Sequence, residues 1–186
     1  FGVGGDPRLA VRIGDGRAFL REPGPRYGLI FSDVYQSLIF VPYQLATKEF
    51  FLAARSRLDD DGVFAANIVG DLTASGPSFL FSEMRTFREV FPNSYFFAVQ
   101  PPEPGAIRNV IFVGVNGDRR FDAAGQEALA DPDGFIRGLA ERRIEPDDAA
   151  LAASPVLTDD YAPVEFLAAK GFLEPGRRPA PFHGVP

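Results

Sequence analysis

The sequence predicts an α/β domain built on a mostly parallel sheet, with a helical appendage toward its C-terminal end. Three observations carry this expectation. Five short apolar segments read as strands, and helical patterns separate the first four of them. The apolar runs are also nearly continuous rather than strictly alternating, which marks strands covered on both faces. Strands that alternate with helices imply right-handed crossovers and parallel neighbours.

The elements follow in order. Leu9–Ile13 is a short, partly apolar strand, and Gly16–Glu22 reads as a short helix after it. Tyr27–Val34 (YGLIFSDV) is a buried strand in this reading. Thr47–Leu58 is a helix with Phe50, Phe51, Ala54 and Leu58 on one stripe. Thr47 is its N-cap, and the Asp59-Asp60-Asp61-Gly62 turn ends it. Gly62–Val69 (GVFAANIV) is the third strand. Ser78–Phe91 is a helix with Leu80, Met84, Phe87 and Phe91 at helical spacing, stopped by Pro92. Ser94–Val99 and Asn109–Val115 are strands joined by the Pro-rich loop Gln100–Arg108, a pair suited to an antiparallel hairpin at the sheet edge. Beyond Asp118 the texture changes to Ala, Asp, Glu and Arg. Phe135–Arg142 reads as a short helix, Leu157–Ala168 as a compact segment, and Glu174–Pro186 as a Pro/Gly-rich tail. The expected divisions are the α/β domain over 1–117, its helical appendage over 118–173, and the tail over 174–186.

Composition narrows the chemistry. With 186 residues, 46% of them hydrophobic, the chain can bury the core of one domain. A net charge of -6 argues against nucleic acid as the main partner, because phosphate binding needs a basic face. Cysteine is absent, and the lone histidine, His183, lies in the tail. Disulfides, thiolate metal sites, a Cys nucleophile and a multi-His metal site are excluded within this chain. No apolar stretch is long enough to span a membrane and no secretory signal opens the chain, so a cytoplasmic location is expected. The chain begins Phe-Gly-Val-Gly-Gly without Met, which suggests an upstream segment not included here.

Several motifs can carry chemistry. Gly2-Val3-Gly4-Gly5 invites a phosphate-loop reading, but such a loop follows a strand and opens a helix, whereas Pro7 and a strand follow here. A surface turn is the better account. Gly14-Asp15-Gly16 directly follows the first strand, where glycines permit a tight turn and close backbone approach to a ligand. Asp15 can accept a hydrogen bond from an exocyclic amine such as that of adenine, or it can N-cap the helix that follows. Asp33 ends the second strand, where ligands of open α/β sheets bind. Half-walled by Phe31 and Tyr35, its carboxylate can bind a cation or take a proton from an amine; the alternative is a solvated aspartate that caps a loop. Tyr35, Gln36 and Ser37 open a loop whose Leu38–Val41 stretch is either packed inward, a lid over a ligand, or a face covered by a second subunit as in a homodimer. Asn67 lines the same crevice or satisfies loop backbone. Asp159-Asp160-Tyr161 can place carboxylates near a site, although an N-cap before Val164–Ala168 is the safer reading.

Taken together, several of these segments resemble the spermidine synthase group of polyamine aminopropyltransferases. The matching stretches are Ile13–Leu20 (IGDGRAFL), Tyr27–Asp33, Thr47–Phe51, Asp61–Val63 and the closing Leu157–Glu165 (LTDDYAPVE). The last is similar to the closing motif of bacterial spermidine synthase-like proteins, including those fused to membrane transporters. The resemblance implies a Rossmann-like fold of the class I methyltransferase type, of which this chain holds the downstream half. It implies an S-adenosyl-type cosubstrate, decarboxylated S-adenosylmethionine or S-adenosylmethionine, and a small-molecule amine acceptor. It further implies that Asp15, between Gly14 and Gly16, holds the adenine amine, and that Asp33 lies between the nucleosyl ligand and the acceptor. An acceptor amine would attack the carbon next to the sulfonium, and no metal is needed for that reaction.

Two departures stand out. The family carries a second Asp three residues after the first, and Gln36 holds that place here beside Tyr35. Gln supplies no charge for a diamine, which weakens the expectation of putrescine as acceptor. The stretch Pro101–Pro104 also lacks the Tyr expected near the acceptor. The family's glycine-rich nucleotide loop and ribose-binding acid belong upstream of Asp6, as does a membrane segment if one is fused. The leading expectation is therefore an aminopropyl or methyl transferase, and the alternative is an inactive fold remnant that serves as a structural or dimerisation module.

Overall fold

The computed structural model describes residues 6–35, 41–72, 77–100, 107–120 and 141–173 (side chains to Ala169), with three single positions between 132 and 138. In chain order the elements are α1 (Gly16–Arg21), β1 (Tyr27–Ser32), a single 3-10 turn (Tyr43–Leu45), α2 (Lys48–Ser56), β2 (Leu58–Asp71), α3 (Phe79–Val90), β3 (Asn93–Ala98), β4 (Ile107–Val115), β5 (Arg143–Ile144), α4 (Asp148–Ala153) and α5 (Val164–Leu173). The α/β class is the predicted one.

Four helices start where a short polar side chain can accept an otherwise orphaned backbone N–H. Asp15 caps α1, Thr47 caps α2, Ser78 caps α3 and Asp147 caps α4. Helix α2 ends at Ser56, short of the predicted Leu58, because Leu58 already pairs with Tyr27 in the sheet. The Asp59–Gly62 stretch then forms an irregularity at the start of β2, with Asp61 at a φ of 62°.

The sheet is mixed, in the order β1-β2-β4-β3-β5. Strands β1 and β2 pair in parallel, while β4 pairs antiparallel with both β2 and β3. The three helix-linked strands β1, β2 and β3 thus share one direction, as crossovers require. The predicted β3–β4 hairpin is present, since the connection between them is too short for a parallel crossover. It is not at the edge, however: β4 inserts between β2 and β3, and β5 pairs outside β3.

The structure corrects two further expectations. Residues 9–13 form no strand; Leu9, Val11 and Ile13 are exposed, and no described strand offers them a ladder. The sheet is also not covered on both faces by the described residues. One face carries Phe64, Ala66 and Ile68 of β2 with Phe96 and Phe112, and the helices pack onto it. The opposite face holds a smaller cluster of Tyr95, Phe97 and Val115, with Ile111 and Val113 against it. On that same side of β1, Leu29 and Phe31 are exposed.

The core is aromatic. Phe87 of α3 lies edge-on to Phe51 at 5.2 Å and to Phe112 at 5.5 Å, and Phe96 meets Phe112 at 4.7 Å. Such tilted and edge-to-face pairs add to the stabilisation from burial itself. Gly114 makes room for this cluster: a Cβ there would stand 2.5 Å from Phe91 and 2.8 Å from Phe87. Glu83, on the same helix, is fully buried, and neither carboxylate oxygen has a hydrogen-bond partner. Burial pushes its pKa well above the ordinary 4.5.

Two stability predictions follow from this packing. Gly114→Ala should destabilise the fold by about 1–3 kcal/mol, because rigid rings must yield to the added methyl; urea unfolding checks it. Glu83→Met should instead stabilise by about 1–3 kcal/mol, by removing a buried carboxyl without a partner. The folded state keeps a proton on Glu83 that the unfolded chain has released above pH 4.5, so this carboxyl subtracts stability as pH rises through that value. The gain from Glu83→Met should accordingly be larger at pH 8 than at pH 4.

Candidate functional site

Asp33 follows β1 at its C-terminal end, where β1 lies parallel to β2. It is exposed, as is Phe31, so the expected half-wall around the carboxylate reduces to the half-buried Tyr35. This exposure comes from β1 lying at one side of the sheet, with its outward face uncovered by described residues. Asn67 of β2 organises the group. Its side-chain Nδ2 donates to Asp33 Oδ1 at 3.1 Å, and its backbone carbonyl accepts the Tyr35 hydroxyl at 2.6 Å. Asn109 of β4 donates in turn to Asn67 Oδ1 at 2.9 Å, which fixes the amide so that its N–H₂ faces Asp33. Burial, and then the nearby charge of Asp33, push the Tyr35 phenol well above its ordinary range. Tyr35 therefore stays a neutral hydrogen-bond donor at any physiological pH.

The Gly14–Gly16 turn opens α1. Asp15 Oδ1 accepts the Ala18 N–H at 2.9 Å, so the capping alternative is realised. A Cβ built on Gly14 or Gly16 would meet nothing within 4 Å, which leaves the backbone of the turn open to approach. The far end of the helix is held by Arg57, buried, whose guanidinium donates to the carbonyls of Phe19 at 3.1 Å, Glu22 at 2.6 Å and Pro25 at 2.9 Å.

The near end is held by residues from the closing motif. Arg17 Nη2 donates to Asp159 Oδ2 at 2.5 Å, and Arg17 Nη1 donates to the Gln44 carbonyl at 2.9 Å. The Thr47 hydroxyl donates to Asp159 Oδ1 at 2.8 Å, and the Asp159 N–H donates to Glu49 Oε2 at 2.9 Å. Leu157 adds backbone stitches: its N–H donates to Thr86 Oγ1 and its carbonyl accepts the Lys48 N–H. Asp159 is thus not the N-cap of α5, because both its oxygens are committed to α1 and the start of α2. The Arg17 hydrogen bond holds the Asp159 carboxyl below its usual range.

The structure therefore brings Asp33, Tyr35 and Asn67 into one hydrogen-bonded unit and places Asp15, Gly14 and Gly16 at the entry to α1. Gln36 and most of the Leu38–Val41 stretch lie outside the described residues, as do residues 1–5, 101–106 and 174–186; Val41 itself is buried. Sequence reasoning missed Asn109 and the Arg17–Asp159–Thr47 group. A signal existed for the first: Asn109 and Asn67 are polar residues at the ends of otherwise apolar strands.

No family model matches the chain. A polyamine aminopropyltransferase of a Synechococcus strain is 38% identical over 97 residues, covering 52% of this chain and 29% of the relative. A probable polyamine aminopropyl transferase of Bifidobacterium longum is 28% identical over 177 residues, covering 86% and 38%. A polyamine aminopropyltransferase of Vibrio vulnificus is 31% identical over 165 residues, covering 84% and 52%. The chain thus spans between 29% and 52% of the length of these relatives. Among solved structures, a probable spermidine synthase of Corynebacterium glutamicum matches with a TM-score of 0.58 at 24% identity, covering 81% of this chain and 54% of the other. A spermidine synthase in complex with the transition-state analogue AdoDATO matches with a TM-score of 0.52 at 18% identity, over 81% and 49%. Over the part of their length that it spans, this chain is similar in sequence to polyamine aminopropyltransferases and in fold to spermidine synthases.

Proposed function

We propose that the protein transfers an aminopropyl group from decarboxylated S-adenosylmethionine to an amine acceptor. The observation that carries this reading is the Asp33–Asn67–Tyr35 unit at the C-terminal end of the parallel β1–β2 pair, the position where open α/β sheets take their ligands. The names of the similar proteins support aminopropyl transfer. Neither methyl transfer nor a catalytically inactive remnant has support among them.

In this reading the adenine rests at the open Gly14–Gly16 turn. Asp15 already caps α1 through one oxygen, and its second oxygen is the acceptor for the exocyclic amine. Asp33, fixed by Asn67, binds the acceptor ammonium. Once one proton has left that ammonium, the neutral amine attacks the propyl carbon beside the sulfonium, the C–N bond forms as the C–S bond breaks, 5′-methylthioadenosine leaves as the neutral thioether, and the product nitrogen keeps the positive charge as a secondary ammonium. The proton released from the nitrogen passes through the Asp33 carboxylate to solvent. Tyr35, kept neutral by its burial, contributes a hydroxyl and an apolar ring to the acceptor side. Gln36 follows it in the chain, and a Gln there favours acceptors with a single ammonium at the reacting end.

The test is a transfer assay with a panel of mono- and diamines, combined with calorimetry of 5′-methylthioadenosine binding. Asp33→Asn should lower turnover by about 10²–10⁴-fold while leaving nucleoside affinity unchanged. Gly16→Ala should leave the fold intact, because its Cβ meets open space, yet weaken nucleoside binding. Full turnover by Asp33→Asn would refute the assignment of Asp33.

A further inference from the structure

The Arg17–Asp159 pair links the turn that opens α1 to a segment far along the chain. Helix α1 has only six residues, too few to be stable alone. Its N-terminal end is oriented by the Asp15 cap and by the Arg17 side chain, which is only 12% exposed. Arg17 in turn is oriented by two oxygens outside the helix, the Gln44 carbonyl and Asp159 Oδ2. Three carboxylates act on its charge: Asp159 directly, and Glu49 and Asp15 through space. If Asp159 were lost, the attraction left on Arg17 would come from Glu49 and Asp15. Part of that pull is toward the turn itself, where a guanidinium would compete for the Asp15 carboxylate.

We propose that Asp159 is a positioning residue for the Gly14–Gly16 turn, so that docking of the Leu157–Tyr161 segment and nucleoside binding at the turn reinforce each other. The proposal rests on the reading of that turn as the nucleoside site. Asp159 touches no reacting atom; it acts through Arg17, whose fork-shaped guanidinium spans Gln44 and Asp159 at once. Because coupling between two sites is reciprocal, a nucleoside that orders the turn must also tighten the closing segment.

The experiment uses 5′-methylthioadenosine as probe. Asp159→Asn should raise its Kd about tenfold, within the usual range for coupled sites, and should raise KM for the nucleosyl substrate while leaving kcat unchanged. Asp159→Glu should restore part of the affinity, and Asp160→Asn, at an exposed neighbour, should change nothing. In an Arg17→Gln background, Asp159→Asn should have no further effect, since the two residues act as one unit. Nucleoside should slow amide exchange at Asp159 and Tyr161 in the wild-type protein and fail to do so in Asp159→Asn. Unchanged affinity in Asp159→Asn, with the wild type binding normally, would overturn the positioning role and leave the nucleoside reading standing. Additive losses in the Arg17→Gln background would overturn it as well. Absence of nucleoside binding by the wild type would remove both.

Discussion

The structure depends on one face of β2 being buried against aromatic rings. Phe64, Ala66 and Ile68 point toward the helices, and Phe64 sits 5.9 Å from Phe87 and 5.8 Å from Phe91. Side chains of a strand alternate strictly between faces, so this burial dictates where every other residue of β2 points. Asn67 lies between two buried positions and must face the other side. A slip of one residue would bury that amide and expose the phenylalanine. The hydrophobic register thus places the polar residue that organises the site.

From there the site is assembled by satisfying hydrogen bonds. Asn67 has three roles: its amide nitrogen orients Asp33, its amide oxygen takes a donor from Asn109, and its backbone carbonyl holds Tyr35. The carboxylate is left exposed, with its free lone pairs turned to solvent. The turn at Gly14–Gly16 is handled differently. It has no strand beneath it among the described residues, and its position comes from charge-assisted bonds to Arg57 on one side and Arg17 on the other. One half of the candidate site is thus positioned by sheet register and the other by arginines.

The extent to which sequence predicted this follows the range of the interactions involved. Thr47 and Ser78 were legible as helix starts because a cap acts over three residues. Asp33 was legible as a strand end because the apolar run that precedes it is local. The insertion of β4 between β2 and β3 was not, since strand order is decided by pairing between distant segments. Residues 9–13 have the composition of a strand, yet composition cannot supply the neighbour that a ladder needs. The Asp159–Arg17 pair spans 142 positions, and the local pattern around Asp159 pointed instead to a helix cap. Asp15 carried two readings, and only the cap is decided by geometry.

The place of β1 in the sheet has a consequence for local stability. As a parallel strand with a single described neighbour, it can bond to β2 through only about half of its amide groups, while those on its outer side have no ladder. Its outward side chains Leu29 and Phe31 bury little. Strands held this way open at lower free energy than the central β2, which is bonded on both edges and packed beneath the rings. Among the described strands, Asp33 therefore follows one that is paired on a single edge, while Asn67, its hydrogen-bond partner, sits on one paired on both. The carboxylate at the end of a singly paired strand is thus tied to a reference point on the strand that carries the core.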